Sequence, residues 1–283
     1  MNTSATSLRD ILYDPPGPRA RRRIAAATAV SAVLLVIGAV LVVRQFAVTG
    51  QLNARYWSFF AKPTTWVFLG KGLAGTLKAA LTAGALTFCM GMLLMLGRIS
   101  SSRPLRAVSM ALIEFSRGVP TLLYIYFFFL AAPQLGLKLP AFWKIALPVA
   151  ISAAGVVAEV LRSGVNAVPR GQTEAALSLG MTGGSVFFKI VFPQALRYVV
   201  PALISELVIV LKDTTFAYVV NYPDLMQNAR VLISNYDALL SVYLVAAVIY
   251  ILINYALNKL AAAVARRTAP AGKELSHGAD TRH

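Results

Sequence analysis

Seven charged residues lie within or beside long apolar segments of the chain. They are Glu114, Arg117, Glu159, Arg162, Glu206, Lys212 and Asp213. A charge at the centre of a lipid bilayer costs at least about 2.5–3.5 kcal/mol, so charges inside spanning segments often mark the path of a polar solute. All seven are therefore candidates for a substrate pathway through a membrane.

Two pairs among them also have a structural interpretation. Glu159 and Arg162 are three residues apart, so on a helix they pair on one face. Lys212 and Asp213 stand at the end of an apolar segment, where a role at the membrane surface is equally open.

Arg117 precedes Gly118 and Pro120, so the helix around it is predicted to be discontinuous. Lipid does not tolerate the exposed backbone groups of a broken helix unless they are buried in protein or line a cavity. In transporters, the start of the second half-helix can face an anionic substrate group. Arg117 is therefore either beside a substrate site or a brace between two membrane subunits.

Motifs for catalysis and for metal binding are missing from the sequence. No Gly-x-x-x-x-Gly-Lys-Ser/Thr stretch cradles a phosphate, and neither His-Glu-x-x-His nor Gly-x-Ser-x-Gly occurs. His277 and His283 are too sparse for a metal site. We expect a chain that is not an enzyme, with no catalytic residue, no metal site and no cofactor of its own.

The composition is that of a membrane protein. Of 283 residues, 58% are apolar and 13% are charged, about half the charge of a soluble domain. Disordered chains are poor in apolar residues, and the single cysteine, Cys89, excludes a disulfide scaffold. The net charge of +16 comes with no motif that reads nucleic acid. Its basic residues cluster at the ends of apolar segments, where they orient membrane helices.

Six apolar segments approach or exceed the roughly 20 residues that span a bilayer. They cover residues 24–43, 69–96, 105–132, 143–161, 194–211 and 238–264, the third being interrupted near Pro120. The predicted fold is an all-α polytopic membrane protein with about six transmembrane helices. The segments on the same side of the membrane as the two termini carry 16 Lys and Arg, and the segments on the opposite side carry 6. Since basic residues are in excess on the cytoplasmic side, both termini are predicted to be cytoplasmic.

The longest cytoplasmic segment between spans, residues 168–193, predicts a short helix followed by a turn. Pro169 ends the fourth span, and Thr173 is the predicted N-cap of a helix that continues to Leu179. Glu174 then lies in the first turn, where the helix dipole favours an acid. Gly180 suits the C-terminal turn, where a positive φ is common.

This segment has two interpretations. Ala175, Ala176 and Leu179 give the helix a small apolar docking surface, and Pro193 begins the fifth span at a position where proline costs little. The plainer alternative is a helical loop that only connects two spans.

The spacing of six residues in this segment resembles the EAA motif of permease subunits of bacterial ABC importers. They are Glu174, Ala175, Ala176, Gly180, Ile190 and Pro193. Phe192 departs from the motif, since that family usually has leucine there. The resemblance implies that these residues and Leu179 form a coupling helix that sits in a groove of an ATP-hydrolysing subunit.

Further stretches resemble polar amino acid permeases. They are residues 114–123, 158–164 and 211–214, and the shorter match over residues 11–23 is similar to glutamate-type permeases with an added N-terminal helix. The resemblance implies the type I ABC importer permease fold. The implied organisation is a cytoplasmic segment 1–23, an added transmembrane helix 24–43, a transmembrane domain 68–265 with the coupling segment 168–193, and a disordered cytoplasmic tail 266–283.

The resemblance also implies a function and partners. The chain is expected to be the permease subunit of an ATP-driven importer of glutamate or another polar amino acid, multi-pass in the bacterial inner membrane. Two ATP-binding subunits that hold ATP and Mg, a second permease subunit and an extracytoplasmic binding protein are the expected partners. The alternative is a gradient-driven transporter or channel that acts without an ATPase. Such transporters often contain inverted repeats, but the 168–193 pattern has no second copy in this sequence.

Glu206 departs from the expectation of an acidic substrate, because a buried carboxylate repels glutamate. Three interpretations remain open for it. The carboxyl is protonated, it is paired with a basic residue, or it selects a cationic amino acid.

Overall fold

Every regular element of the computed structural model is a helix within residues 17–268, the part of the chain that it describes. This confirms the predicted all-α class. The predictions for most of the N-terminal segment 1–23 and for most of the tail 266–283 lie outside the described residues.

The first helix, α1, covers Pro18–Val48. Pro18 fits the first helical position, whose N–H has no partner in any helix. At about 1.5 Å per residue the helix is roughly 46 Å long, more than a bilayer requires. It begins before the predicted residue 24 and ends after residue 43. With the turn that follows it, including Ala54–Tyr56, it forms a compact unit of its own that ends at Trp57.

The second unit begins at Ser58. Its α-helices of four or more residues, within the part of the chain that is described, are α2 (Pro63–Ile99), α3 (Arg103–Gly118), α4 (Thr121–Tyr126), α5 (Ala141–Ala167), α6 (Arg170–Ser178), α7 (Gly183–Val186), α8 (Phe192–Asp213), α9 (Leu225–Tyr236) and α10 (Leu239–Thr268). Among the described residues, five helical segments are long and apolar enough to span a membrane, and α3 with α4 would make six. The prediction of about six spans is confirmed.

Helices α2 and α5 form the most extensive helix contact in this unit. Their facing residues are small, and Ala79, Ala83, Ala150 and Ala154 are each at most 1% exposed. Such residues let two backbones approach closely in lipid. At Gly91 of α2, a Cβ atom would lie 2.7 Å from the Val157 side chain, so this crossing requires glycine.

The predicted break beside Arg117 is confirmed. Helix α3 ends at Gly118 and α4 begins at Thr121, and the axis of α3 makes an angle of 97° with that of the segment Thr121–Gln134 that α4 begins. The Tyr124 hydroxyl donates a 3.1 Å hydrogen bond back to the Phe115 carbonyl, which holds the bend. Beyond α4, residues Phe127–Ala131 form a π-helical segment.

Candidate functional site

The loop helix α6 begins earlier than the sequence predicts. It follows Pro169 directly and covers Arg170–Ser178, so Thr173 lies inside the helix and the predicted N-cap is wrong. Proline presets φ near −65°, and at the start of a helix its missing N–H costs nothing. These two properties outweigh the capping preference of threonine. Glu174 accordingly lies in the second turn rather than the first.

The end of α6 is fixed by its glycine. Gly180 has φ +79°, as predicted. Its N–H donates to the Leu177 carbonyl at 2.9 Å, and the Met181 N–H donates to the Ala176 carbonyl at 3.2 Å. These two bonds form a Schellman motif, in which a left-handed residue closes the last turn.

The two faces of α6 have different roles. Ala176 is 6% exposed and packs on Val186, Val191 and Ala195. Ala176 therefore does not belong to the predicted docking surface, because at this position α6 packs against the chain that follows it, from α7 to the start of α8. Leu179 is 84% exposed, and Leu177, Glu174 and Ala175 are exposed with it. The exposed surface of α6 is thus apolar at its C-terminal end and carries one acidic side chain, that of Glu174.

The chain after α6 becomes helical before the predicted position. Residues Gly183–Val186 form α7, Phe187–Val191 form a π-helical segment and α8 continues from Phe192 to Asp213. The predicted start at Pro193 is therefore too late; Pro193 is exposed in the first turn of α8, and Ile190 of the π segment is half-buried. The Gln194 side-chain amide donates to the Gln172 side chain at 3.4 Å and to the Ile190 carbonyl at 2.9 Å. The loop helix and α8 are consequently joined by packing and by the hydrogen bond from Gln194 to Gln172.

The predicted pair of Glu159 and Arg162 is confirmed, with Arg162 Nη2 2.7 Å from Glu159 Oε2. Arg98 of α2 adds a contact, its Nε lying 3.9 Å from Glu159 Oε1. This contact was not predictable from helical spacing, because Arg98 lies on a different helix. The Glu159 carboxylate of α5 therefore connects this helix to the last turn of α2.

Arg117 and Glu114 also form a pair, with Arg117 Nη1 3.7 Å from Glu114 Oε1. Both side chains are exposed, and an exposed pair of this kind contributes about 0–1 kcal/mol. A Cβ atom at Gly155 of α5 would lie 3.0 Å from Arg117 Cγ, so the stem of the arginine lies over that glycine. Neither Glu114 nor Arg117 lines the cavity that contains Glu206.

Glu206 of α8 lies in a cavity of about 370 Å³. The lining is apolar apart from Glu206 and Thr87, and includes Leu81, Phe88, Val157, Leu203 and Leu207. Glu206 is 8% exposed and forms no ion pair with any residue of the described chain. Of its three interpretations, pairing with a basic side chain finds no partner within residues 17–265.

Asp213 at the end of α8 is connected to the helix break. Its Oδ2 accepts a 2.8 Å hydrogen bond from the Thr121 hydroxyl, and Ser152 Oγ of α5 lies 2.9 Å from Thr121 Oγ1. Lys212 is exposed and does not take part. The contacts of Thr121 with Ser152 and Asp213 could not be predicted from the sequence, because these residues are far apart along the chain. The contact connects the first residue of α4 to the last residue of α8, the helix that follows the loop helix α6.

A buried acid that the sequence did not suggest caps α9. Asp224 is 0% exposed, and its Oδ1 accepts a 2.7 Å hydrogen bond from the Gln227 N–H. Its Oδ2 and the buried Tyr250 hydroxyl have no hydrogen-bond partner among the described residues. Burial raises the pKa of Asp224 from 3.8 to about 6, against the opposing effect of backbone hydrogen bonds.

We expect this acid to make stability depend on pH. The pKa of Asp224 in the folded protein lies above its ordinary value, so its protonated form stabilises the fold. This contribution to the free energy of unfolding is fully present below pH 3.8 and is lost as the pH rises through about 6. The loss amounts to about 3 kcal/mol. Asp224→Asn keeps the capping oxygen and removes the charge, so its melting temperature should exceed that of wild type at pH 8 and match it near pH 4.

Thermal unfolding of the purified protein across this pH range measures the effect. Asp237→Asn is the matched control, because Asp237 is an exposed acid at the other end of α9. Parallel melting curves for wild type and Asp224→Asn would contradict the prediction.

No cluster of three or more His, Cys, Asp or Glu side chains placed to hold a metal ion occurs in the part of the chain that the structure describes. The candidate site consists of a capped loop helix, a long helix joined to it, a cavity along that helix and a contact from its far end to the helix break.

Comparison with known proteins identifies this arrangement. The family model described as "Binding-protein-dependent transport system inner membrane component" matches residues 87–270. The chain is 36% identical over 222 residues to the glutamate transport system permease protein GluD of Corynebacterium glutamicum, covering 77% of this chain and 81% of that protein. It is 34% identical to the probable glutamine ABC transporter permease protein GlnP of Bacillus subtilis, covering 68% and 89%.

Solved structures agree with the sequence relatives. The crystal structure of an amino acid ABC transporter with histidines matches with a TM-score of 0.68 at 32% identity, covering 74% of this chain and 98% of that one. The inward-facing MetNI methionine ABC transporter matches with a TM-score of 0.63 at 18% identity, which is a likeness of fold. The fold is that of a type I ABC importer permease. The chain belongs to the family of binding-protein-dependent transport system inner membrane components, non-catalytic permease subunits whose partner ATPases hydrolyse ATP.

Proposed function

We propose that this chain is the transmembrane permease subunit of an ATP-driven importer of glutamate or another polar amino acid. It moves its substrate from an extracytoplasmic binding protein to the cytoplasm by alternating access. The glutamate and glutamine permeases that it resembles support the substrate class. The observation that carries the proposal is the outward end of α6, where Leu179 is 84% exposed on a rigidly capped helix.

The proposed assembly contains two ATP-binding subunits, a second permease subunit, which is a paralogue or another copy, and an extracytoplasmic binding protein. ATP and Mg bind to the ATPase subunits. The chain lies in the bacterial inner membrane with both termini in the cytoplasm. The 16 Lys and Arg on one side against 6 on the other support this orientation.

In this proposal, the exposed face of α6 binds the ATPase subunit. Exposed apolar side chains such as Leu177 and Leu179 gain free energy when a partner covers them. The buried face, through Ala176, Val186 and Val191, passes a displacement of the loop on to α8. Closure of the ATPase subunits would thereby move the wall of the Glu206 cavity.

Helix α8 has features that permit such movement. Pro201 lies inside it, and the Ser205 hydroxyl donates a 3.0 Å hydrogen bond to the Pro201 carbonyl. Proline removes one backbone hydrogen bond, and side chains that bond to the backbone bend helices locally. The π-helical segment Phe187–Val191 is a second departure from α geometry, of a kind frequent at functional sites.

The Glu206 cavity is the proposed substrate site. Its volume of about 370 Å³ lies within the range of small-molecule sites, which are apolar with a few placed polar groups. A carboxylate without a basic partner in the described chain suits the α-ammonium group that every amino acid carries. This role is compatible with an acidic substrate, because the ammonium group and the substrate's side chain can lie at different ends of the cavity.

Uptake competition tests the substrate class. Vesicles that contain the whole importer take up labelled glutamate while each unlabelled amino acid competes in turn. We expect competition by glutamate and by other polar amino acids, and none by apolar amino acids. Uptake that only apolar amino acids inhibit would contradict the proposal.

A further inference from the structure

Helix α9 lies between two clefts outside the spanning segments. It buries Leu225, Ala229 and Leu232 against the rest of the unit. On one side is a polar cleft of about 320 Å³, lined by residues that include Tyr218, Asn221, Gln227, Arg230, Ser234 and Asn235. On the other is a cleft of about 240 Å³ bordered by Thr64, Phe68 and Tyr236. Val231 and Asn235 line both, so the two clefts form one continuous surface across α9.

The polar cleft offers hydrogen-bond donors around a cation. The Arg230 guanidinium lies 4.9 Å from the centre of the Tyr218 ring and forms no ion pair with a described carboxylate. Gln227 donates its side-chain amide to Asn221 Oδ1. Because arginine presents a fork of N–H groups that matches a carboxylate, this cleft suits an acidic group.

The cleft is rigidly built. Asn221 has φ +54°, a left-handed conformation that asparagine adopts more readily than most residues with side chains, so it suits the turn that precedes α9. The Leu225 N–H donates to Thr76 Oγ1 at 3.0 Å, and the Asn228 amide donates to the Phe68 carbonyl at 2.8 Å. These long-range bonds fix α9 on α2, so the cleft is formed before a partner arrives.

We propose that this surface docks acidic side chains of the extracytoplasmic binding protein, with Arg230 as the central contact. The inference rests on the proposed function, which supplies the partner and the outward orientation. Charge complementarity favours this partner, since the exposed charges on segments 44–67, 134–144 and 213–237, which the proposal places outside, include Lys62, Lys138 and Arg230 against the single exposed acid Asp237, whereas Asp224 is buried. The second cleft extends the surface beyond what one amino acid would cover, which indicates a protein surface rather than a free carboxylate.

The test measures ATP hydrolysis by the reconstituted importer as loaded binding protein is added. Arg230→Gln should raise the concentration of binding protein at half-maximal stimulation about tenfold. Arg230→Glu should raise it further, and Arg230→Lys should remain within a fewfold of wild type. The basal rate and the rate at saturating binding protein should be unchanged, because Arg230 acts in docking.

Lys138→Gln is the matched control, since it removes one exposed positive charge outside both clefts. An effect as large as that of Arg230→Gln would indicate general attraction and overturn the docking site. Unchanged half-saturation in Arg230→Glu would also overturn it. So would an altered preference among amino acids at saturating binding protein, which would make Arg230 a substrate contact.

The wild-type titration separates this inference from the proposed function. If the wild-type importer responds to loaded binding protein and the Arg230 variants respond equally, only the docking site is wrong. If loaded binding protein never stimulates the wild-type importer, the proposed function fails and the docking site with it.

Discussion

Gly180→Val is expected to abolish transport while membrane insertion remains intact. Position 180 has φ +79°, which a β-branched side chain reaches only with strain of about 1–3 kcal/mol. No atom lies within 4 Å of a Cβ placed there, so the cost comes from the backbone rather than from a clash. Valine would open the Schellman turn and displace Leu179 from the surface that the ATPase subunit is proposed to bind.

Gly180→Asn is the matched control for this prediction. Asparagine adopts the left-handed conformation more readily than other residues with side chains, and the open space around position 180 accommodates it. It should retain most uptake and most stimulated ATP hydrolysis. Normal uptake by Gly180→Val, or equal loss in both variants, would show that the left-handed turn is not what coupling requires.

Glu206→Gln is expected to weaken uptake of every transported amino acid. A charge-assisted hydrogen bond contributes about 1.5–3 kcal/mol, which corresponds to roughly a tenfold to 150-fold change in affinity. If Glu206 binds the α-ammonium group, glutamate and cationic substrates should be affected alike. The measurement is the concentration dependence of uptake for labelled glutamate and labelled arginine.

Glu114→Gln provides the control for Glu206, because Glu114 is exposed and lies outside the cavity. It should leave both uptake curves unchanged. Stronger glutamate uptake together with loss of arginine uptake in Glu206→Gln would mean that Glu206 reads the charge of the substrate side chain. No change for either substrate would make Glu206 structural and contradict the proposed site.

Features determined by a few neighbouring residues were predictable from the sequence. The break between α3 and α4 follows from Gly118 and Pro120, and the end of α6 follows from Gly180. The pair of Glu159 and Arg162 follows from helical spacing. In each case the local preference agrees with the packing, so no distant residue changes the outcome.

The start of each loop helix was harder to predict because two local signals compete. Thr173 and Pro169 both favour a helix start, and the structure uses Pro169. Gly183 is a poor helix former, yet α7 begins there, since Val186 and Val191 are buried against Ala176. Tertiary packing outweighs a propensity difference of about 1 kcal/mol.

Contacts between residues that are far apart in the sequence could not be predicted from it. The contact of Thr121 with Asp213 joins residues 92 positions apart, and Leu225 meets Thr76 across 149. The Glu206 cavity likewise combines side chains from α2, α5 and α8. Hydrophobic periodicity identifies the helices but does not determine which faces meet, so these sites require the three-dimensional structure.

The central proposal is that ATP hydrolysis by partner subunits drives this chain through its loop helix. The most direct test is uptake of labelled amino acid by proteoliposomes that contain the chain with its co-purified ATPase subunits. We predict uptake that requires ATP and Mg at the ATPase face and loaded binding protein on the opposite side, and that is absent with Gly180→Val. Uptake by the chain alone, driven by an ion gradient without ATP, would contradict the proposal.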